Sequence, residues 1–158
     1  MSKATGRFTQ AAAEFDVAVE VQHFPDGTRT AADAASAVGC DVGQIVKSLV
    51  FVVDDRPVLA LTSGSNRVDP VRLAAVAGGA DARPATADEA RAATGFAIGG
   101  TPPFGHGEKL ATYLDPDLTR YETVWAAAGT PDTCFALAPA ELARAADAMT
   151  ASFTEASR

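Results

Sequence analysis

The chain has 158 residues, of which 47% are hydrophobic and 21% charged, values typical of one soluble globular domain. Its formal net charge of −7 argues against a broad electrostatic grip on nucleic acid, although a small local patch can still contact one nucleic-acid end. No apolar run approaches the ~20 residues that span a bilayer, and residues 1–16 lack the apolar core of a signal peptide. We therefore expect a cytoplasmic protein with no membrane partner.

The two cysteines, Cys40 and Cys134, lie far apart in the chain and belong to no CxxC motif or Cys/His cluster. The sequence therefore predicts no zinc or other metal site and no cofactor. Neither cysteine has an evident base partner, so a thiol nucleophile is not expected.

The first half of the chain alternates helix and strand signals. It predicts a helix over residues 8–15, a strand over 17–24, a helix over 30–38 with Thr30 as its N-cap, and a short turn over 42–46. Two very apolar strands follow, over 47–53 and 58–62, joined by a turn at Asp54-Asp55-Arg56-Pro57. Because both strands are apolar on both faces, we expect them in the middle of a covered sheet.

The second half continues the mixture of helices and short strands. It predicts helices over 70–77, 86–95 and 139–149, strands over 81–85, 96–98, 109–114, 121–128 and 133–137, and a tail over 152–158 that frays. No linker divides the chain, so we expect a single domain over residues 1–158 with its core over about 17–150. The fold class is α+β (mixed α/β), with a mixed, largely antiparallel sheet and helices packed on it.

The loop GGTPPFG, residues 99–105, is the most unusual sequence in the chain. It is not a P-loop, because His106-Gly107 follow where a P-loop has Lys and Ser/Thr. Glycine backbone stiffened by prolines lets N–H groups hold a carbonyl or phosphate oxygen, as an oxyanion hole does. The alternative is a rigid connection between two strands.

A single lysine, Lys47, stands at the entrance of the first central strand. Ten of the thirteen cations are Arg, so a lysine here indicates that a compact ammonium group is required. The alternative is a side chain that extends its ammonium to water along apolar surface. His23 and His106 are candidate general bases, but a lone histidine in a turn is usually only solvated. With no serine-hydrolase elbow present, water or the substrate itself is expected to attack.

At these same residues the chain resembles a known family, the YbaK/prolyl-tRNA-synthetase-associated editing domains. The resemblance rests on the lysine at the strand start, on the G-x-x-x-P loop from Gly99 to Pro103, and on their flanking segments. Those segments, in order, are VGCDVGQIVKSLVF, LALTSG, TGFAIGGTPPFGH, a strand ending Leu114-Asp115, and AAGTPDTCFALAPAEL. It implies a YbaK-like fold and a free-standing protein that hydrolyses mischarged aminoacyl-tRNA, mainly tRNA for proline carrying a small non-cognate residue.

The resemblance also implies roles for individual residues. Lys47 pairs with a terminal phosphate or ester oxygen, and the backbone at Gly99, Gly100 and Thr101 binds the carbonyl oxygen while water, assisted by the ribose 2′-hydroxyl, attacks. The substrate-binding residues are expected to be His23, Thr30, Ile98, Pro103, Phe104, Gly105 and His106.

The partner that the resemblance implies is the 3′ acceptor end of aminoacyl-tRNA, and a synthetase is a further candidate partner. The alternative function is a non-catalytic module that binds aminoacyl-tRNA ends or a synthetase. The sequence does not indicate which amino acid is removed or what the oligomeric state is.

Overall fold

The structure is a computed structural model that describes residues 2–28 and 30–155. Within these residues the chain forms five α-helices and eight β-strands. The helices are α1 Lys3–Glu14, α2 Ala31–Val38, α3 Pro70–Val76, α4 Ala87–Thr94 and α5 Pro139–Ala146. The strands are β1 Gln22–His23, β2 Ile45–Val53, β3 Arg56–Ser63, β4 Ala82–Pro84, β5 Ala111–Leu114, β6 Val124–Ala127, β7 Thr133–Leu137 and β8 Met149–Thr150. Two 3₁₀ turns, Val42–Gln44 and Pro116–Arg120, precede β2 and β6.

All eight described strands belong to one mixed sheet. Seven of them follow the order β1-β7-β6-β2-β3-β5-β8, and β4 pairs with β2. Four of the strand pairings are antiparallel and three are parallel. The predicted α+β class with a mixed, largely antiparallel sheet is therefore confirmed, and the two apolar strands β2 and β3 lie at its centre as expected.

The turn between β2 and β3 is tighter than the sequence indicated. Only Asp54 and Asp55 form it, with φ of 46° and 68°, the left-handed conformations that a two-residue hairpin turn requires. Pro57 instead pairs with Val52 within the hairpin. The sheet tolerates a proline there because the neighbouring strand β5 starts to pair with β3 only at Val58.

Helix boundaries were predicted best where capping residues mark them. The Thr30 hydroxyl accepts the N–H of Asp33 at the start of α2, and Gly39 ends that helix in the left-handed conformation. At α4, Thr86 and Glu89 form a reciprocal capping box.

Five predictions differ from the structure. The helix over 8–15 begins at Lys3, and the helix over 139–149 ends at Ala146, so that Met149 belongs to β8. The strand over 17–24 shortens to Gln22–His23, because β7 is its one neighbour among the described strands and pairs only there. Residues 96–98 form a bend and turn rather than a strand. The tail does not fray as far as residue 155: Phe153 is fully buried and the Glu155 N–H donates to the carbonyl of Arg67. The last three residues of that tail lie outside the described part of the chain.

The two faces of the sheet bury different clusters. One face carries α1, α4 and α5, and its core includes Phe8, Phe104 and Phe135, whose rings are in contact. The other face carries α2 and α3. No helix among residues 2–28 and 30–155 is long and apolar enough to cross a membrane.

Candidate active site

The central strand β2 has an unpaired flank in its middle, which we call the sheet opening and define as residues 47–49. On that flank β6 pairs only with Ile45 and Val46, whereas β4 pairs only from Phe51 onward. Among the described strands, Lys47, Ser48 and Leu49 therefore pair with β3 alone. A strand left open in the middle of a sheet leaves room for a ligand beside its backbone.

A cavity of about 650 Å³ lies at the sheet opening. Its walls come from Thr28 and the start of α2, from β2, from the start of α4, from β6 and β7, and from the loop after α4. Most of the lining side chains are apolar. The polar groups among the described lining residues are Thr28, Thr30, Lys47, Ser48, Thr101 and Cys134.

Lys47 is the one charged side chain among the described residues that line this cavity. It is half-buried, and its ammonium group donates to the backbone carbonyl of Asn66 at 2.5 Å. Burial lowers the pKa of Lys47, the positive charge of Arg67 lowers it further, and the carboxylate of Asp115 opposes both effects. The fold thus holds a partly desolvated ammonium at the cavity, where it interacts more strongly with an anion than in water.

Successive residues of β2 point to opposite faces of the sheet, so the cavity receives groups from both faces. Ile45 packs against α2, whereas Val46 and Val50 pack in the cluster beneath the loop over residues 98–106, which we call the Gly/Pro loop. Lys47 therefore lies on the α2 side and Ser48 on the loop side, and the sheet opening joins the two.

The Gly/Pro loop contributes Ile98, Gly99 and Thr101 to the cavity wall. The Gly100 N–H is already used, because it donates to the carbonyl of Ala97 at 3.1 Å, and that carbonyl also accepts the Thr101 hydroxyl. For the N–H groups of Gly99 and Thr101, no hydrogen-bond partner occurs among the described residues. Of the three N–H groups that we expected to bind the substrate, one is therefore used within the loop, and two have no partner in the part of the chain that the structure describes.

Glycine at position 100 is required by close packing. A Cβ there would lie 2.7 Å from the Thr130 Cα, so the loop backbone rests directly on the turn between β6 and β7. Gly99 has a φ of 88°, which favours glycine over other residues. These two positions explain why the segment begins with a glycine pair.

Five of the predicted substrate-binding residues do not line this cavity. His23 is exposed and pairs with Asp132 at 2.7 Å. Residues 103–106 line a separate cavity of about 240 Å³ between the loop and α5. There Phe104 packs on Phe8 in the core, and the Nε2–H of His106 donates to the carbonyl of Pro102 at 2.8 Å.

Ser48 was missed by the sequence reasoning. Ser48 lines the cavity, and its hydroxyl is buried with no hydrogen-bond partner among the described residues. Buried hydroxyls are usually paired, so the unpaired hydroxyl of Ser48 is a candidate group for a hydrogen bond to a ligand. The signal in the sequence was a single polar residue beside Lys47 in an otherwise apolar strand.

Comparison with known proteins identifies the family. The profile of the family described as "Aminoacyl-tRNA editing domain" matches residues 25–145, which is more than half of the chain. The chain belongs to the aminoacyl-tRNA editing domain family. The predicted resemblance is therefore confirmed, and the prediction of an aminoacyl-tRNA deacylase with it.

Individual editing-domain relatives support the same assignment. A crystal structure described as a candidate trans-editing enzyme for prolyl-tRNA synthetase superimposes with a TM-score of 0.93 at 45% identity, covering 99% of each chain. The uncharacterized protein YwhH of Bacillus subtilis is 33% identical over 78% of this chain and 78% of its own length. The proline–tRNA ligase of Ligilactobacillus salivarius is 34% identical over 57% of this chain, which corresponds to 16% of the ligase.

Proposed function

We propose that this protein is a trans-editing hydrolase that removes a small non-cognate amino acid from mischarged tRNA, in particular tRNA for proline. The observation that carries the proposal is that Lys47 and the backbone of Gly99 and Thr101 line one cavity. The similarity to a candidate trans-editing enzyme over the full length of both chains supports action in trans. The similarity to proline–tRNA ligase supports the choice of tRNA and makes that synthetase a candidate partner. Work on tRNA also fits the expected cytoplasmic location.

In this proposal Lys47 holds the acceptor end in register. Its ammonium group pairs with a terminal phosphate or ester oxygen of the aminoacylated ribose. Charge-assisted hydrogen bonds of this kind contribute about 1.5–3 kcal/mol, enough to select one orientation of the substrate. Partial burial strengthens the attraction between the ammonium and a bound anion, because water competes less for both charges.

The loop stabilises the charge that develops during hydrolysis. The N–H groups of Gly99 and Thr101 donate hydrogen bonds to the ester carbonyl oxygen and to the anion formed when water attacks. The Gly100 N–H instead keeps the turn closed through Ala97. Loss of one such donor typically costs about 100-fold or more in rate.

The attacking group is a water molecule assisted by the ribose 2′-hydroxyl of the substrate. The chain has two histidines, His23 and His106, and neither lines the cavity. Burial raises the pKa of the Cys134 thiol, which keeps it protonated and a poor base or nucleophile. Water adds to the ester carbonyl carbon and gives up one proton through the 2′-hydroxyl, the bond to the ribose oxygen breaks as that oxygen takes up the proton, and the amino acid leaves the free tRNA end.

Amino-acid choice follows from the size of the cavity beside the loop. Its described lining is rich in small side chains, including Ala31, Ala34, Ala90 and Ala126. One methylene changes binding by only about 1–3 kcal/mol, so size alone separates small amino acids such as alanine and serine weakly.

The test is a deacylation assay with a panel of mischarged tRNAs, comparing the wild type with Lys47→Ala. We expect the variant to lose about 10-fold to 150-fold in rate, the equivalent of about 1.5–3 kcal/mol, while circular dichroism and Tm show a folded protein. Lys109→Ala, which removes a surface lysine paired with Asp147, is the matched control and should deacylate normally. Deacylation by Lys47→Ala at the wild-type rate would refute the role of the lysine. Binding of aminoacyl-tRNA without any hydrolysis by the wild type would favour the non-catalytic module.

A further inference from the structure

Asn66 connects the ammonium of Lys47 to two carboxylates. Its backbone carbonyl accepts the Lys47 ammonium, while its side-chain amide donates to Asp115 at 2.8 Å and to Asp117 at 2.7 Å. The residue is half-buried in the loop that follows β3. Asn66 thus binds the ammonium through its main chain and two carboxylates through its side chain.

Asp115 is the fixed end of this network. Only 1% of its surface is exposed, and it follows directly after β5. One carboxylate oxygen accepts the N–H of Ser63 at 3.0 Å in addition to the Asn66 amide, and the other accepts the N–H of Asp117 at 3.0 Å. A buried carboxylate with this many donors is held in one place, and its charge is offset within the fold.

In the described part of the chain, the charges that shift the Lys47 pKa come from two segments. Arg67, the next residue along the loop, lowers the lysine pKa, and Asp115, at the end of β5, raises it. The position of Asn66 between the ammonium and the carboxylate therefore determines how close these opposite charges lie.

We propose that Asn66 and Asp115 are positioning residues for Lys47, which hold its ammonium at the sheet opening ready for an anionic ligand. The inference rests on the proposed function for the role of Lys47 itself. A lysine side chain has four flexible carbons and three N–H donors. One donor is used by the Asn66 carbonyl, which fixes the head group and leaves two for a substrate oxygen. Fixing the side chain before binding reduces the entropy lost on binding.

The first measurement needs no ligand. The chain has three lysines, so protein labelled with ¹³C at lysine Cε gives three signals. The signal that is lost in Lys47→Arg is that of Lys47. Asn66→Ala keeps the backbone carbonyl that accepts the Lys47 ammonium but removes the amide that ties this carbonyl to Asp115 and Asp117. We therefore expect the Lys47 signal to show a lower order parameter, because its acceptor is no longer held in place, while the signals of Lys3 and Lys109 stay unchanged. The matched control is Gln44→Ala, which removes a half-buried amide that also ties a loop beside β2 through two hydrogen bonds but does not contact Lys47. A Lys47 order parameter equal to that of wild type in Asn66→Ala would overturn the proposal.

A second variant tests the carboxylate. Asp115→Asn removes the charge that raises the Lys47 pKa, so the Cε titration of Lys47 should move to lower pH. An unchanged titration in folded Asp115→Asn would also overturn the proposal. Where this buried change prevents folding, Asn66→Ala decides alone.

The functional measurement is a double-mutant cycle on binding. The probe is adenosine 5′-monophosphate carrying alanine through a 3′-amide. Its binding is measured by the fluorescence of Trp125, the single tryptophan, which lines the cavity. Asn66→Ala should weaken binding about 5-fold to 10-fold with Lys47 present, and less than about 2-fold in a Lys47→Gln background. Equal weakening in both backgrounds would overturn the inference, because Asn66 would then act without Lys47. Failure of the wild type to bind the probe counts against the proposed function, and the NMR measurement still decides the positioning role.

Discussion

Ser48→Ala is the substitution for which stability and activity should move in opposite directions. The Ser48 hydroxyl is buried without a hydrogen-bond partner among the described residues. An unpaired buried hydroxyl costs about 1–3 kcal/mol, and the variant loses the contacts of only one oxygen atom. We therefore expect the free energy of unfolding to rise by about 1 kcal/mol, which for a chain of this length raises Tm by about 2–4 °C.

The activity of the same variant should fall. If the hydroxyl bonds to the substrate, its removal costs one neutral hydrogen bond, and kcat/KM for deacylation should drop by about 3-fold to 10-fold. Urea denaturation followed by Trp125 fluorescence measures the first effect, and a deacylation time course measures the second. An unchanged kcat/KM would show that Ser48 has no part in binding the substrate.

Ser63→Ala supplies the matched control. Ser63 is equally a serine of the central hairpin, but its buried hydroxyl donates to the carbonyl of Gly43 at 2.8 Å. Its loss leaves that carbonyl unpaired and should lower the free energy of unfolding by about 1–2 kcal/mol. A destabilisation of Ser48→Ala as large as that of Ser63→Ala would refute the reasoning, because it would mean that the Ser48 hydroxyl is already satisfied within the fold.

Three other measurements test the fold, the pH response and the charge of the site. Gly100→Ala places a Cβ against the backbone of Thr130 and should destabilise the protein by about 1–3 kcal/mol. The control Gly107→Ala, where a Cβ meets open space, should change stability by less than about 0.5 kcal/mol. Equal effects of the two variants in urea denaturation would contradict this. Burial lowers the pKa of His106 below 6.5, so the unfolded state takes up a proton first and stability is lost as pH falls from 6.5 through the folded pKa. His106→Asn should flatten that loss, and an unaltered pH slope in urea denaturation would exclude the histidine as its source. Because Lys47 is the single described cation lining the cavity, log K for the acceptor end against log salt should have a slope near −1, and a slope of about −4 would reveal a wider basic surface.

Local chemistry in the sequence was enough to predict the central hairpin, the capped helices and the two chemically unusual features. The apolar runs on either side of Asp54 and the N-cap at Thr30 depend on residues close together in the chain, which is why they could be identified. The shared cavity of Lys47 and Gly99 required the family resemblance, because those residues lie far apart in sequence.

The division of the Gly/Pro loop between two cavities was not predictable from the sequence. Residues 98, 99 and 101 face the sheet opening, whereas residues 103–106 face away from it. The reason is that Phe104 packs between Phe8 of α1 and Phe135 of β7, both of which lie far from it in the sequence. That contact turns the second half of the loop toward the core and removes it from the candidate site.

The cavity itself follows from unequal strand lengths. β2 is nine residues long, but its two neighbours on one flank are four and three residues long and cover only its ends. A single long neighbour would have paired with the backbone at Ser48 and closed the sheet. Since Lys47, Ser48 and Leu49 stay open on that flank, the cavity is lined by residues from both faces of one strand, with Lys47 on one side and Ser48 on the other. The length of β6 is therefore as important to the candidate site as any side chain, and an extension of β6 that paired through Ser48 would fill the space in which we place the substrate.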